Sequence, residues 1–264
     1  MMLKPILAIT LFFGLSLNAA ANFDAGVEAY EAQNYKKAFT EFAQAALEGN
    51  ARAQGLVAEM YANGLGVAKD IAQATRWYYK AAEQGDVLAQ HTLGVMYASG
   101  LGVNQDDLQA IRWYRLAAGQ GLADAQHNLG VFYAKGRGDV ARDDKQAAYW
   151  FAKAAEQGIA EAQYNLANRY SEGRGVDKDD AQAAHWYRKA AEQGYGAAQN
   201  NLGNMYLLGR GVPKDAAEAV KWYRKAAEQG INAARINLGN MYADGRGVPK
   251  DQDQALNWYR AAAE

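Results

Sequence analysis

From residue 51 onward the apolar positions return on two alternating rhythms. Leu93 and Tyr97 stand four apart, as do Leu129 with Tyr133 and Leu202 with Tyr206, which places each pair on one face of a helix. A second stripe follows, carried in its first occurrence by Ala74, Trp77, Tyr78 and the Ala81-Ala82 pair. A glycine pair separates the two stripes, at 64/66, 100/102, 136/138, 173/175, 209/211 and 245/247. The pattern predicts two short helices per unit, joined by a glycine turn. All six tryptophans (77, 113, 150, 186, 222 and 258) keep step at intervals of 36, 36, 37, 36 and 36 residues, a regularity that an ordinary globular core does not require. The chain is therefore a repeat array with units at 51–86, 87–122, 123–159, 160–195, 196–231 and 232–264. A single unit cannot bury its own stripe.

The punctuation agrees with this reading. Asp70, Asp106, Asp143, Asp179, Asp215 and Asp251 precede the second stripe, each followed three residues later by Gln or Glu, so every second helix is expected to open with an N-cap and a capping-box partner. Gly94, Gly130, Gly203 and Gly239 lie inside the first helix, where glycine costs about 1 kcal/mol relative to alanine. Their recurrence predicts close approach of the partner helix, expected under its Trp; Ala58 and Ala167 show that the position wants smallness. The glycine pairs follow helices and no strand-forming run precedes them, so they read as left-handed turns and not as phosphate loops.

The ends differ from the middle. Lys4, the apolar run Ile6 to Leu17 and Ala19-Ala20-Ala21 have the layout of a secretory signal over residues 1–21, cut after Ala21, which directs the chain to a periplasm or the exterior. The run is too short for the roughly 20 residues of a spanning helix, so no stable membrane insertion is expected after cleavage. Residues 22–50 read as a shortened, degenerate repeat capping the array: Ala38, Ala45-Ala46 and Gly49 fall 36 residues before their counterparts, while Glu41 replaces Trp and the glycine-pair loop is missing. At the other end no repeat follows the Trp258-Tyr259 helix, which predicts mobility or weak C-terminal self-association. Asp139 supplies the single 37-residue interval as a tolerated loop insertion.

Composition narrows the function. Lys and Arg number 28 against 29 Asp and Glu, with no basic block, so nucleic-acid binding has no electrostatic footprint. There is no cysteine, hence no disulfide, thiolate nucleophile or thiolate-ligated metal. Beyond the signal only Ser99 and Ser171 are serines, and neither sits in an activating motif, so no catalytic residue and no cofactor are assigned. His91 and His127 hold equivalent positions in adjacent repeats, but a third metal ligand is not evident. The Arg residues 137, 174, 210 and 246 of the glycine-pair turns form either an anion-binding row or caps on helix-end carbonyls.

The candidate binding surface is the exposed face of the first helices. Two and five residues after a recurring Gln stand Asn128, Asn165, Asn201 and Asn237, and Asn168, Asn204 and Asn240. With helices packed about 8–10 Å apart, these carboxamides would form a ladder suited to the N–H and C=O groups of an extended peptide. Tyr164, Arg169, Met205, Leu208 and Met241 would add charge and apolar contact. The alternative is that the Asn side chains hold the repeats together and the apolar residues pack between them.

The run Ala125-Gln126, Leu129-Gly130, Tyr133, the Gly-Arg-Gly turn, Asp143, Trp150-Phe151 and Ala154-Ala155-Glu156-Gln157-Gly158 resembles the Sel-one-like repeat (SLR), a relative of the tetratricopeptide repeat, and the likeness covers 51–264. The resemblance implies an all-α, right-handed α-solenoid whose first helices line a concave face. It also implies a non-catalytic adaptor for a protein or peptide, in envelope signalling or host contact. A cysteine-rich subgroup is associated with β-lactamase-like or penicillin-binding activity; this chain departs from it by lacking every cysteine. A hydrolase of that kind and a peptidoglycan- or sugar-binding module are the alternatives.

Overall fold

The computed structural model describes residues 6–137 and 140–263, with side chains from residue 18 onward. Lys4, Gly138, the inserted Asp139, Glu264 and the side chains of the Ile6 to Leu17 run lie outside the described residues. The described residues form fourteen α-helices and no strand. They gather into two compact units, 6–125 with 140, and 126–137 with 141–263. The first contains α1 (Ile6–Glu31), α2 (Tyr35–Leu47), α3 (Ala51–Asn63), α4 (Ile71–Glu83), α5 (Val87–Ser99), α6 (Asp107–Gly119) and the opening of α7 (Ala123–Lys135). The second contains the rest of α7, then α8 (Asp144–Glu156), α9 (Ala160–Glu172), α10 (Asp180–Glu192), α11 (Gly196–Leu208), α12 (Ala216–Glu228), α13 (Asn232–Asp244) and α14 (Gln252–Ala263).

All six second helices open on the expected Asp. Each carboxylate accepts from the backbone N–H three residues on, at 2.9–3.0 Å. The expected return bond from the Gln or Glu side chain is replaced. The N–H of each Asp donates instead to the carbonyl of the first-helix tyrosine, from Tyr61 for Asp70 to Tyr242 for Asp251. The cap thus ties the two helices of a repeat together, which a local box cannot do. First helices end on glycine in the left-handed region, as at Gly64 (φ 74°) and Gly209 (φ 70°).

The core is serial. In the second unit, Ala183, Ala184, Tyr187, Ala190 and Ala191 of α10 cluster with Ala198, Leu202 and Met205 of α11, and the same grouping joins α12 to α13. In the first unit α4 supplies Ala81 and Ala82 to Ala89, Leu93 and Met96 of α5. Each cluster joins the second helix of one repeat to the first helix of the next, so the buried stripe is Leu with Met three residues on. The tyrosine four residues after Leu lies at its edge: Arg188 donates to the Tyr206 hydroxyl at 2.9 Å, and Arg224 to Tyr242 at 2.7 Å. Met205 and Met241, candidates for groove contacts, are buried at 3% and 1% exposure.

Two further devices build the seams. The helix-interior glycines do meet a partner helix, but beneath the residue after Trp. A Cβ on Gly94, Gly130, Gly203 or Gly239 would come within 2.5–2.6 Å of the ring of Tyr114, Phe151, Tyr223 or Tyr259. One residue along a helix turns the side chain by about 100°, which carries Trp off that contact. The recurring glutamines form the second device. Gln163 Nε2 donates to Ala155 O (3.1 Å) while its Oε1 accepts from Gln193 (2.8 Å), and Gln199 repeats this with Ala191 O (3.0 Å) and Gln229 (2.8 Å). Gln54 and Gln90 do the same in the first unit. The carboxamide ladder of the stack is therefore made of glutamine.

Helices α1 and α2 pack on each other in the same style. Gly26 lies under Phe42, with a Cβ there only 2.5 Å from the ring, and Ala38, Ala45 and Ala46 are buried. Of α1, Phe23, Val27, Ala29 and Tyr30 join this cluster.

Candidate functional site

The first helices of the second unit carry the candidate asparagines on two columns with different partners. In the column five residues after Gln, each amide oxygen is held by a phenol from the second helix of its own repeat. Tyr187 donates to Asn168 at 2.5 Å, Tyr223 to Asn204 at 2.7 Å and Tyr259 to Asn240 at 2.7 Å. Burial pushes the Tyr187 and Tyr223 phenols up to about 12, so both remain proton donors at any physiological pH. With the oxygen engaged, the amide nitrogens of Asn168, Asn204 and Asn240 keep their N–H donors unspent among the described residues. Asn168 and Asn204 are half-buried and Asn240 is exposed.

The column two residues after Gln ties neighbouring repeats together. Asn237 donates to Asn200 at 2.9 Å, Asn200 donates to Asn201 at 3.3 Å, and Asn165 Nδ2 stands 3.3 Å from His127 Nε2. Tyr164 is half-buried between Tyr187 and Tyr195, with ring centroids 5.9 and 5.1 Å away. Asn165 and Asn237 thus bond neighbouring repeats, while Asn201 meets Asn200 of its own helix.

Arg169 stands where other repeats place Met60, Met96, Met205 or Met241. Its side chain is 12% exposed, and Nη1 lies 2.7 Å from Asp144 Oδ1 at the start of α8. Its charge is spent on that seam, which corrects the expectation of a cation along the groove. The turn arginines depart from both expectations. Arg210 pairs with Asp180 at 2.6 Å, Arg174 with Glu172 at 2.9 Å, Arg246 with Asp244 at 2.8 Å, and Arg137 stacks on Phe132 at 4.8 Å. The helix-end carbonyls are met by backbone N–H groups instead, as Arg210 N to Met205 O shows.

The first unit holds a concavity that the asparagine pattern does not mark. Arg52, Gly55, Glu59 and Asn63 of α3, Tyr78 of α4, Asp86, and Leu88, Ala89, His91 and Thr92 of α5 line a cavity of about 370 Å³. Gly55 occupies the position one after Gln, which His91, His127 and Tyr164 hold in the next three repeats. That departure was the available sequence signal. A larger hollow of about 470 Å³ is lined by residues 73–80 of α4 alone.

Known proteins place this architecture. The Sel1 repeat model matches residues 51–86, 87–122, 123–159, 160–195, 196–231 and 232–264. The chain belongs to the Sel1 repeat family. Sel1 repeats generally mediate protein–protein interactions. A protective antigen present in uropathogenic Escherichia coli strains, displaying an SLR fold, is 38% identical with a TM-score of 0.87, covering 93% of this chain and 53% of its own. This chain therefore spans about half the length of that antigen. A Sel1 repeat protein from Oxalobacter formigenes is 35% identical with a TM-score of 0.76, over 94% of this chain and 97% of that one. No curated protein matches the chain.

The serines of these Sel1 repeats are engaged locally. The Ser99 hydroxyl donates to Val95 O at 2.8 Å, and Ser171 accepts from Arg210 at 3.3 Å. His91 stacks on Tyr114 and His127 on Phe151, at 5.7 and 5.8 Å. Among the described residues no group of three or more His, Asp or Glu side chains is placed to hold a metal ion. No described helix is long and apolar enough to cross a membrane.

Proposed function

We propose that this Sel1 repeat chain is a non-catalytic scaffold, exported to a periplasmic or extracellular space, that binds an extended protein segment across its first helices. The observation that carries the reading is the row Asn168, Asn204 and Asn240. Three amides recur every 36 residues, their oxygens held by Tyr187, Tyr223 and Tyr259 and their N–H donors unspent among the described residues. A peptide backbone in extended form presents carbonyl acceptors at regular intervals, and hydrogen bonds to it are insensitive to side-chain identity. A groove of this kind reads length and strandedness first. Export draws support from the layout of residues 1–21, a lysine, a short apolar run and then Ala19-Ala20-Ala21. It also draws support from kinship with a protective antigen.

The test is a peptide selected from a random library for binding to residues 22–264, titrated against the wild type and against Asn168→Ala with Asn204→Ala and Asn240→Ala. A loss of tenfold or more in affinity is expected from a variant that stays folded at the assay temperature; its melting temperature falls, because the Tyr187, Tyr223 and Tyr259 hydroxyls lose their acceptors. Unchanged affinity moves the binding surface elsewhere. Mass spectrometry of the exported protein should give Asn22 as the first residue, and a retained Met1 overturns export.

A further inference from the structure

The cavity between α3 and α5 has a shape that the neighbouring repeats explain. In three repeats the residue after Gln lays a ring against the aromatic of its own second helix: His91 on Tyr114 at 5.7 Å, His127 on Phe151 at 5.8 Å and Tyr164 on Tyr187 at 5.9 Å. In the first repeat the corresponding residue is Gly55 and the corresponding aromatic is Tyr78. A Cβ on Gly55 would meet nothing nearer than Asp86 Oδ1 at 3.5 Å, so the place of the missing ring is open. The fold thus leaves a slot for one planar group beside Tyr78.

The charges around the slot select what enters. Asp86, whose side chain is 9% exposed, caps α5 through Oδ1, bonded to Ala89 N at 2.8 Å. Among the described residues its Oδ2 has only the Arg52 cation nearby, at 3.8 Å, beyond hydrogen-bond reach, and the Arg52 side chain is 47% exposed. Glu59 is exposed and pairs with no cation among the described residues; its field is felt by Tyr78 and Tyr30. Burial lowers the pKa of His91 on the far wall, against the opposing pull of Asp124. Two carboxylates against one guanidinium leave the lining net acidic. A planar cation satisfies all of these conditions at once, with its face on an aromatic ring and its edge toward carboxylates.

We propose that this cavity receives one arginine side chain of a polypeptide partner, stacked on Tyr78 with its guanidinium directed to Asp86 Oδ2 and Glu59. The proposal rests on the reading of the first-helix face as a polypeptide-binding surface and adds a side-chain specificity to it. Lysine fits less well, since an ammonium lacks the plane that the slot repeats from His91 and Tyr164.

The experiment uses N-acetyl-arginine-N-methylamide as probe, with the citrulline analogue as its neutral, planar control, followed by amide chemical shifts of residues 22–264. The arginine probe is expected to shift the amides of Gly55, Glu59, His91 and Thr92, with the citrulline analogue at least tenfold weaker. Gly55→His, which supplies the ring that the next repeat carries, should abolish these shifts without lowering the melting temperature, and Glu59→Gln should weaken them severalfold. Equal binding of both probes, shifts confined to other residues, or full binding by Gly55→His each overturns the proposal. Because the probe has no extended backbone, its result is independent of the asparagine row. A bound probe with an indifferent triple-asparagine variant would retain the pocket and remove the groove.

Discussion

At the scale of the residue, glycines of similar appearance do unequal work, and stability should tell them apart. Gly203 lies in a helix under a ring: alanine there gains about 1 kcal/mol of helix propensity and spends about 1–3 kcal/mol on overpacking. Ala58 and Ala167 hold the same position in other repeats, so the ring's seat can be remade. Gly175 has φ +76°, and a Cβ there would fall onto the backbone carbonyl of Asp144. That carbonyl begins α8 and has nowhere to go. Urea unfolding should therefore show Gly203→Ala costing no more than about 2 kcal/mol and Gly175→Ala more than about 3 kcal/mol, the left-handed penalty alone being roughly 1–2 kcal/mol. Equal losses would refute the distinction. The phenols add a pH dependence. Tyr78, Tyr187 and Tyr223 are pushed by burial from 10.0 up to about 12, so the folded chain favours their protonated form. Their stabilising effect is complete below pH 10 and is lost as pH rises from 10 through 12. Melting temperature should hold through pH 9 and fall steeply beyond 10; a flat profile to pH 11.5 would contradict it. Much of this was legible in one dimension. The Asp caps were readable because the N–H that donates to each carboxylate lies three residues away. The need for smallness at Gly94 was readable too, but its partner was placed one residue off, on Trp113 instead of Tyr114, because recurrence says that a contact exists and not which way a side chain turns.

At the scale of the element, the joint between helices is polar where its packing is apolar. Gln199 is 4% exposed and spans three segments, donating to Ala191 O and accepting from Gln229. Leucine at 199 would match its bulk while removing two bonds, one to the Ala191 carbonyl, which keeps the Gly194 N–H, and one from the Gln229 amide, which keeps Lys225 O. A hydrogen bond has a net value of about 1 kcal/mol, more where the group left behind is buried. Gln199→Leu should lower stability by about 1–3 kcal/mol in a urea titration, more than Asn201→Leu on the more exposed side of the same helix. A loss under about 1 kcal/mol would show that water replaces the ladder. The glutamines were visible as a recurring letter, yet their partners lie 8 and 30 residues away on other helices. The asparagines drew attention because they are sparse and varied. Part of the candidate row is engaged in joints: Asn165 and Asn237 reach back to His127 and Asn200, and Arg169 reaches Asp144. The Asn168, Asn204 and Asn240 column combines unspent donors with tyrosine-held oxygens, an arrangement that depends on three hydroxyls no local spacing reveals.

At the scale of the whole molecule, a stack in which each cluster joins a second helix to the following first helix has stability that is a sum over neighbours. Any helix with one neighbour instead of two should open first. Among the described residues α14 packs against α13 on one side and is the less covered helix. Ala255 is its only fully buried residue among those described, and Trp258 and Tyr259 are half-buried, whereas the equivalent Trp222 and Tyr223 in α12 are 8% and 0% exposed. What retains α14 is Tyr259 on Asn240, together with a bond from Arg235 to the Ala261 carbonyl. Arg235 holds the place of the ladder glutamine and spans from Ala227 O to Ala261 O, so it closes the ladder at this end. Hydrogen exchange should find the amides of 255–263 opening at least tenfold more often than those of 219–228. Arg235→Gln should widen the gap, because a shorter side chain does not reach Ala261. The half-covered Trp258 and Tyr259 also offer a surface on which a helix of a second copy can pack. Sedimentation at rising concentration should show weak association that Trp258→Lys abolishes, with protection of α14 rising in step with the dimer. A strict monomer whose α14 amides are protected as fully as those of α12 would show that a helix packed on one side needs no second neighbour, and the additive picture would fail with it.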